Sequence, residues 1–382
     1  MRVGVVREIK IDEARVAITP AGARELVGEG HQVIVEREAG LGAGYTDDAY
    51  ERAGAAVVPS SEEVWGTAEL IVKVKEPQAN EIAMIRSGQV IFGYLHLAAD
   101  PAAARSLAAT GATCVAYESV RDGRHLPLLI PMSEVAGRIA GLACAYHLGR
   151  VSGGRGVLMG GIAGVAPAVV VVIGAGTAGT NAAAQAVGLG ASVTLLDRDL
   201  LALRTAEERF DGRVSCLYST TSVLEELVAK ADALIGSVLI PGARAPHVVS
   251  RAMVASMPTG SVLVDISIDQ GGCIETSRPT THSHPTYVEE GVIHYCVTNM
   301  PSLYPVTSTS SLTNATLPFV HAIATLGIGP ACAADPRLAA GVNLVAGKAT
   351  LAVVAEETGI EFAALTTHFP DVAEDALRGS VH

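Results

Sequence analysis

The chain has 382 residues, 49% of them hydrophobic and only 17% charged, with 39 acidic against 27 basic side chains. That length suffices for two domains with separate cores, and a formal charge of -12 argues against the basic stripe on which nucleic-acid binding depends. The six cysteines, at 114, 144, 216, 273, 296 and 332, contain no Cys-x-x-Cys pair. They read as small core thiols in a reducing cytoplasm, with no disulfide framework and no metal site. The first residues, MRVGVVREIK, read as a strand and lack the apolar core of a signal peptide.

Strands and helices alternate along the chain, the pattern of a parallel α/β architecture. In the first part, strands are predicted at RVGVVR (2–7), HQVIVE (31–36), ELIVKVK (69–75), QVIFGYLHL (89–97) and TCVAYE (113–118). Helices fit between them. TPAGARELVGEG, for example, offers Thr19 as N-cap and Pro20 at the first helical position. A long helix with small residues and an apolar stripe starts at Ser133, and GGRGVLMGG leads from it into a second unit. There strands are predicted at AVVVVI, SVTLLD, ALIGSVLI (233–240), SVLVDISI (261–268) and VIHYCVTN (292–299). From about Pro305 the pattern turns helical, through TNATLPFVHAIATLG and KATLAVVAEETG. The expected fold is α/β: two Rossmann-like doubly wound domains joined by long linking helices, with a cleft between them.

The segment AVVVVIGAGTAG followed by SVTLLD reads as buried strand, glycine turn, helix start and a second strand closed by Asp197. In a dinucleotide site, Gly174 allows the tight turn, Gly176 lets backbone approach a pyrophosphate, and Gly179 lets helix and strand pack closely. The helix start offers N–H groups and a positive dipole end to phosphates. Asp197 stands where a carboxylate accepts hydrogen bonds from the adenosine ribose. No charged residue occurs between Gly156 and Leu196. Pro167, repeated glycines and the polar Thr177, Asn181 and Gln185 nevertheless interrupt the run too often for a membrane span.

In doubly wound sheets, ligands sit at the carboxyl ends of strands, which makes Lys75, His96, Asp269 and Asn299 candidates. Each has a plainer reading. Lys75 could be a solvated strand end, and Lys73 shares its face. His96, among apolar neighbours, could be a core histidine. Asp265 precedes Asp269 and is the more natural structural partner. Arg15 is either a bidentate carboxylate clamp or a surface arginine paired with Glu13. Taken together, a cation, an imidazole and a carboxylate suit proton transfer beside a charged small substrate.

The motifs DEARVAITPAG, VKVKEP, YLHLA, PMSEVAG, GGRGVLMGG, VIGAGTAG, VDISIDQGGC, SRPTT, NMP and LTNATLP run the length of the chain, which resembles the bacterial L-alanine dehydrogenases throughout. The resemblance implies reversible oxidative deamination of L-alanine to pyruvate and ammonium, with NAD as cofactor. It implies that Arg15 and Lys75 bind the substrate and that His96 and Asp269 handle protons. Cofactor contacts would come from Ser133, Asp197, Ser219, Leu239 and Asn299, beside the glycines already named. It further implies a discontinuous substrate domain, 1–128 plus 305–382, interrupted by an NAD-binding domain at 129–304, and a homo-hexamer without membrane or nucleic-acid partners.

The chain departs from the family pattern at several points. Val6 and Ala163 stand where prolines are expected, and Ile130 replaces a smaller or polar residue near the PMSEVAG motif. Arg198 directly follows Asp197, a placement that would tolerate a 2′-phosphate where the carboxylate alone would repel it. Two other readings follow: a dehydrogenase for another small L-amino acid, and a nucleotide-binding subunit of transhydrogenase type.

Overall fold

The computed structural model describes residues 1–123, 125–238 and 245–373. The chain divides into two compact units, Met1–Met132 together with the segment from Tyr304 onward, and Ser133–Leu303. The first boundary falls inside a helix, Ile130–His147, which begins three residues before the predicted start at Ser133. The divisions lie a few residues from the predicted ones at 128/129 and 304/305.

In the first unit, β1 (Arg2–Val5), β2 (Gln32–Glu36), β3 (Ala56–Val58), β4 (Leu70–Val72), β5 (Val90–Gly93) and β6 (Thr113–Ala116) pair in parallel in the order 3-2-1-4-5-6. This is the doubly wound order, whose switch point lies between β1 and β4. Both β4 and β5 end earlier than predicted. Lys73 and Lys75 therefore follow β4, and His96 follows β5 by three residues. β3 is a three-residue edge strand, and its shortness and partial exposure hide it from pattern reading. The predicted helix after Thr19 spans Pro20–Gly28, and the Thr19 hydroxyl caps it by accepting from Gly22 N at 3.2 Å.

The second unit repeats the order. β7 (Val169–Ile173), β8 (Ser192–Asp197), β9 (Ser215–Tyr218), β10 (Ala233–Gly236), β11 (Val262–Asp265), β12 (Thr286–Glu289) and β13 (Val292–Tyr295) form a sheet ordered β9-β8-β7-β10-β11-β13-β12, with only β12 antiparallel. Val170, Val171 and Val172 are fully buried, each worth about 1.5–3 kcal/mol of burial. The Thr177–Gly188 helix packs over β7 and β8. Gly137 and Gly141 let the Ile130–His147 helix approach that helix closely: a Cβ on Gly137 would stand 2.2 Å from Ala178 O.

The chain then returns to the first sheet. The helix Pro305–Leu326 leads to β14 (Val342–Val345), antiparallel to β6, and β15 (Lys348–Ala349). The helical expectation beyond Pro305 is thus corrected: two short strands interrupt it, and only Ala352–Thr358 of KATLAVVAEETG is helix. Among the described residues, no helix is long and apolar enough to cross a membrane, and no His/Cys/Asp/Glu group could hold a metal ion.

Candidate active site

At the carboxyl ends of β1 and β4 the first unit buries several charges. Arg15 is 2% exposed and bound by Glu13, with Nε donating to Oε1 at 2.6 Å and Nη2 to Oε2 at 2.5 Å. Its Nη1 reaches Met132 Sδ at 2.9 Å. The reading of Arg15 as a surface arginine is therefore corrected: Glu13 is its partner, but both are buried, because the segment is covered by the Pro305–Leu326 helix. Thr309 and Thr313, one turn apart on that helix, bond Val16 N and Ala17 O beside Arg15. Burial opposes the guanidinium charge, and the Glu13 carboxylate more than restores it, raising the pKa.

Lys73 and Lys75 separate cleanly. Lys73 is fully buried, with Nζ 2.7 Å from Glu81 Oε1 and 3.2 Å from Glu8 Oε2, the structural member of the pair. Lys75 Nζ stands 5.9 Å from the centroid of the Tyr94 ring, within cation–π range. The same ring stacks on His96, with centroids 5.9 Å apart and 7° between planes. Tyr94, which the sequence reading passed over inside YLHLA, therefore joins the candidate cation to the candidate imidazole. Its hydroxyl donates to Leu128 O at 2.6 Å, and burial holds its pKa high. The core-histidine reading of His96 fails, since the side chain is 42% exposed. The residue adopts a left-handed φ of 46°, sparsely populated by non-glycine residues. Glu118 holds it there, accepting from His96 N at 2.6 Å and Leu95 N at 3.2 Å.

In the second unit the glycine turn lies after β7, at the switch point between β7 and β10. Gly174 has φ 102°, and a Cβ there would stand 2.5 Å from Ser237 O. A Cβ on Gly179 would meet Gly174 O at 1.7 Å. Gly176 differs: no atom lies within 4 Å of where its Cβ would be, which leaves the helix start open to a pyrophosphate. Asp197 ends β8, with Oδ2 accepting from Ala175 N at 2.5 Å and Oδ1 from Asp199 N at 2.9 Å. The Asp197 carboxylate is thus fixed to the glycine turn itself. Ser219, at the end of the neighbouring β9, is buried and donates its N–H to Asp197 O at 2.8 Å. Arg198 is exposed. These residues fit a dinucleotide.

Asp269 does not end a strand. β11 stops at Asp265, and Asp269 lies in the 3-10 turn Ile266–Gln270. The turn forms because Asp265, fully buried, accepts from Ser267 N, Cys273 N and Ile274 N at 2.9–3.2 Å; it is the structural partner. Asp269 is exposed, and both its oxygens lie 3.3 Å from the N–H of Asn299, a left-handed residue at φ 57°. Ser133 is partly buried in the Ile130–His147 helix. Leu239 lies outside the described residues.

Residues 4–136 match the model of the alanine dehydrogenase/PNT N-terminal domain, and residues 140–352 that of the C-terminal domain. The chain is 53% identical to an alanine dehydrogenase of Halomonas elongata over 363 residues, covering 95% of this chain and 98% of the relative. A solved L-alanine dehydrogenase structure superposes with a TM-score of 0.90 at 46% identity, over 98% of this chain and 100% of that one. A transhydrogenase from Sinorhizobium meliloti follows at 27% identity and a TM-score of 0.77, covering 92% of this chain and 99% of that one. The chain belongs to the alanine dehydrogenase/PNT family.

Proposed function

We propose that this chain carries out the NAD-dependent oxidative deamination of L-alanine with Arg15 and Lys75 binding substrate and His96 and Asp269 moving protons. Alanine, NAD⁺ and water give pyruvate, ammonium, NADH and a proton, and the reaction is reversible. What carries the activity is the identity of about half the residues with alanine dehydrogenases over nearly the full length. The margin over the transhydrogenase, 53% against 27%, favours this reading over a nucleotide-binding subunit.

NAD, when bound, supplies the hydride acceptor; Gly174, Gly176, Gly179, Asp197, Ser133, Ser219, Leu239 and Asn299 are the residues that would hold it. The remaining chemistry belongs to side chains. The Arg15 fork suits a carboxylate, and Glu13 keeps its charge and direction. Lys75 presents a fixed cation to the carbonyl oxygen, where negative charge gathers as ammonia adds to pyruvate. His96 contacts the same Tyr94 ring as Lys75, so one buried side chain supports both the cation and the imidazole. An imidazole exchanges protons in both directions near neutrality. Asp269 would orient the water or ammonia, its exposed carboxylate accepting from Asn299 N–H through both oxygens at 3.3 Å.

The same reading makes the protein a cytoplasmic homo-hexamer. The free thiols of all six cysteines and the exposed Tyr146, Val151, Leu158, Ile162 and Val165 support it, and light scattering of the purified protein tests the assembly. The activity is tested by following NADH oxidation with ammonium and a panel of keto acids, then repeating with NADPH. Turnover is expected with pyruvate and NADH; turnover of a bulkier keto acid but not of pyruvate rejects alanine as substrate.

A further inference from the structure

We infer that buried Lys73, Glu8 and Glu81 form a clamp that positions Lys75 toward the substrate, an inference that rests on Lys75 binding the substrate. The three residues span the switch point of the first sheet: Glu8 follows β1, Lys73 follows β4, and Glu81 lies in the Ala79–Ile82 turn. Exposure of their side chains is 0% for Lys73, 2% for Glu8 and 3% for Glu81.

Each carboxylate does two things. Glu8 offers one oxygen to Lys73 Nζ and the other to Val74 N at 2.6 Å. Glu81 offers one to Lys73 Nζ and the other to Gln78 N at 2.8 Å. The backbone is therefore pinned at Val74 and again at Gln78, with Lys75 between the pins. Further bonds fix the near end, where Lys73 N donates to Phe92 O at 2.9 Å and Tyr94 N to Val74 O at 3.2 Å. These tie the loop to β5 and to Tyr94, just beyond its end. Glu76, next to Lys75, pairs with Lys10. A loop held this way loses little conformational freedom when Lys75 engages a ligand. Buried charges are costly unless paired and bonded; here two carboxylates and one ammonium are retained where apolar side chains would pack, and their second oxygens all serve the Lys75 loop.

The test compares Glu8→Ala with Glu8→Gln, because glutamine still offers an oxygen to Val74 N. Pyruvate KM and kcat are measured alongside NADH affinity by fluorescence titration. Glu8→Ala is expected to raise the KM for pyruvate at least ~10-fold with kcat changed less than ~3-fold, and Glu8→Gln to recover most of the KM. NADH affinity is expected to stay within about 2-fold in both. An unchanged KM, a parallel loss of NADH affinity, or no recovery in Glu8→Gln overturns the clamp. Should Glu8→Ala be insoluble, Glu81→Ala and Glu81→Gln decide by the same criteria through Gln78 N. Lys75→Met separates the two levels: if it retains pyruvate turnover, the substrate-binding reading itself fails, whereas its loss beside unaffected Glu8 variants removes only the clamp.

Discussion

The rings of Tyr94 and His96 lie parallel, 7° apart in plane and 5.9 Å between centroids, although one residue separates them in the chain. The left-handed backbone at His96, held by Glu118, turns the imidazole onto the phenol instead of along the strand direction. His96→Ala is expected to lower turnover at least ~100-fold if the imidazole carries the proton. Tyr94 splits into two roles. Tyr94→Phe keeps the ring that Lys75 and His96 contact but strands Leu128 O, and is expected to cost about 1–3 kcal/mol of stability with much of the activity retained. Tyr94→Leu removes the ring and is expected to lose activity. Denaturant unfolding and steady-state assays measure the two effects separately.

The two aspartates of VDISIDQGG predict opposite signatures. Asp269 is exposed and faces one backbone N–H, that of Asn299, through both oxygens. Asp269→Asn is expected to lower turnover at least ~100-fold with little change in melting temperature. Asp265 is buried and holds three backbone N–H groups. Asparagine there turns a donating amide NH2 toward backbone donors in place of an accepting oxygen, so Asp265→Asn is expected to lose about 1.5–3 kcal/mol or more of stability. If Asp265→Asn melts like the parent while Asp269→Asn unfolds, the assignment of roles is reversed.

What the sequence made legible was the chemistry written in local patterns. Gly174, Gly176, Gly179 and Asp197 lie within one strand–turn–helix–strand unit, so their spacing was readable without any distant part of the chain. Arg15 shows the limit. Its partner Glu13, two residues away, was readable, but its burial depends on Thr309 and Thr313, nearly three hundred residues downstream. Tyr94 was hidden for the same reason, because its contacts to Lys75 and Leu128 form only once β4, β5 and the following loops assemble. The strands that escaped, such as Ala56–Val58 and Ser215–Tyr218, are short sheet edges with exposed positions, unlike the longer, fully buried run of a central parallel strand. His96 and Asp269 were found as strand-end residues although neither ends a strand. Both lie in the segments just beyond the carboxyl ends of β5 and β11.

His294 gives a pH dependence of stability. It is fully buried in β13, its Nδ1 within 2.9 Å of Val292 O and its Nε2 within 2.7 Å of Thr276 Oγ1, and burial lowers its pKa. The unfolded imidazole, near its ordinary value of about 6.5, takes up a proton that the folded one resists. The stability from His294 is therefore complete above that value and declines as the pH falls through it toward the lowered folded value. His294→Gln is expected to melt below the parent at pH 8, with the gap narrowing by pH 5.5. A gap that stays constant or widens as the pH falls contradicts the assignment.

The three glycines of the nucleotide turn are not equivalent, and alanine substitution separates their roles. At Gly179 a Cβ would sit 1.7 Å from Gly174 O, a main-chain atom that cannot yield without moving the turn. At Gly174 the methyl would meet Ser237 O at 2.5 Å and the φ of 102° is itself unfavourable for alanine. Both variants are expected to be destabilised before any ligand is added. Gly176 has φ -73° and open space around its Cβ position, so Gly176→Ala is expected to fold with an unchanged melting temperature. The methyl then occupies the space through which backbone approaches the pyrophosphate, and NADH affinity is expected to fall at least ~10-fold, or about 1.4 kcal/mol. Thermal melts without ligand and NADH fluorescence titrations decide between the two classes. Normal NADH affinity in folded Gly176→Ala would mean that the phosphates do not pass over this residue and that the nucleotide is held chiefly by the Asp197 side of the turn.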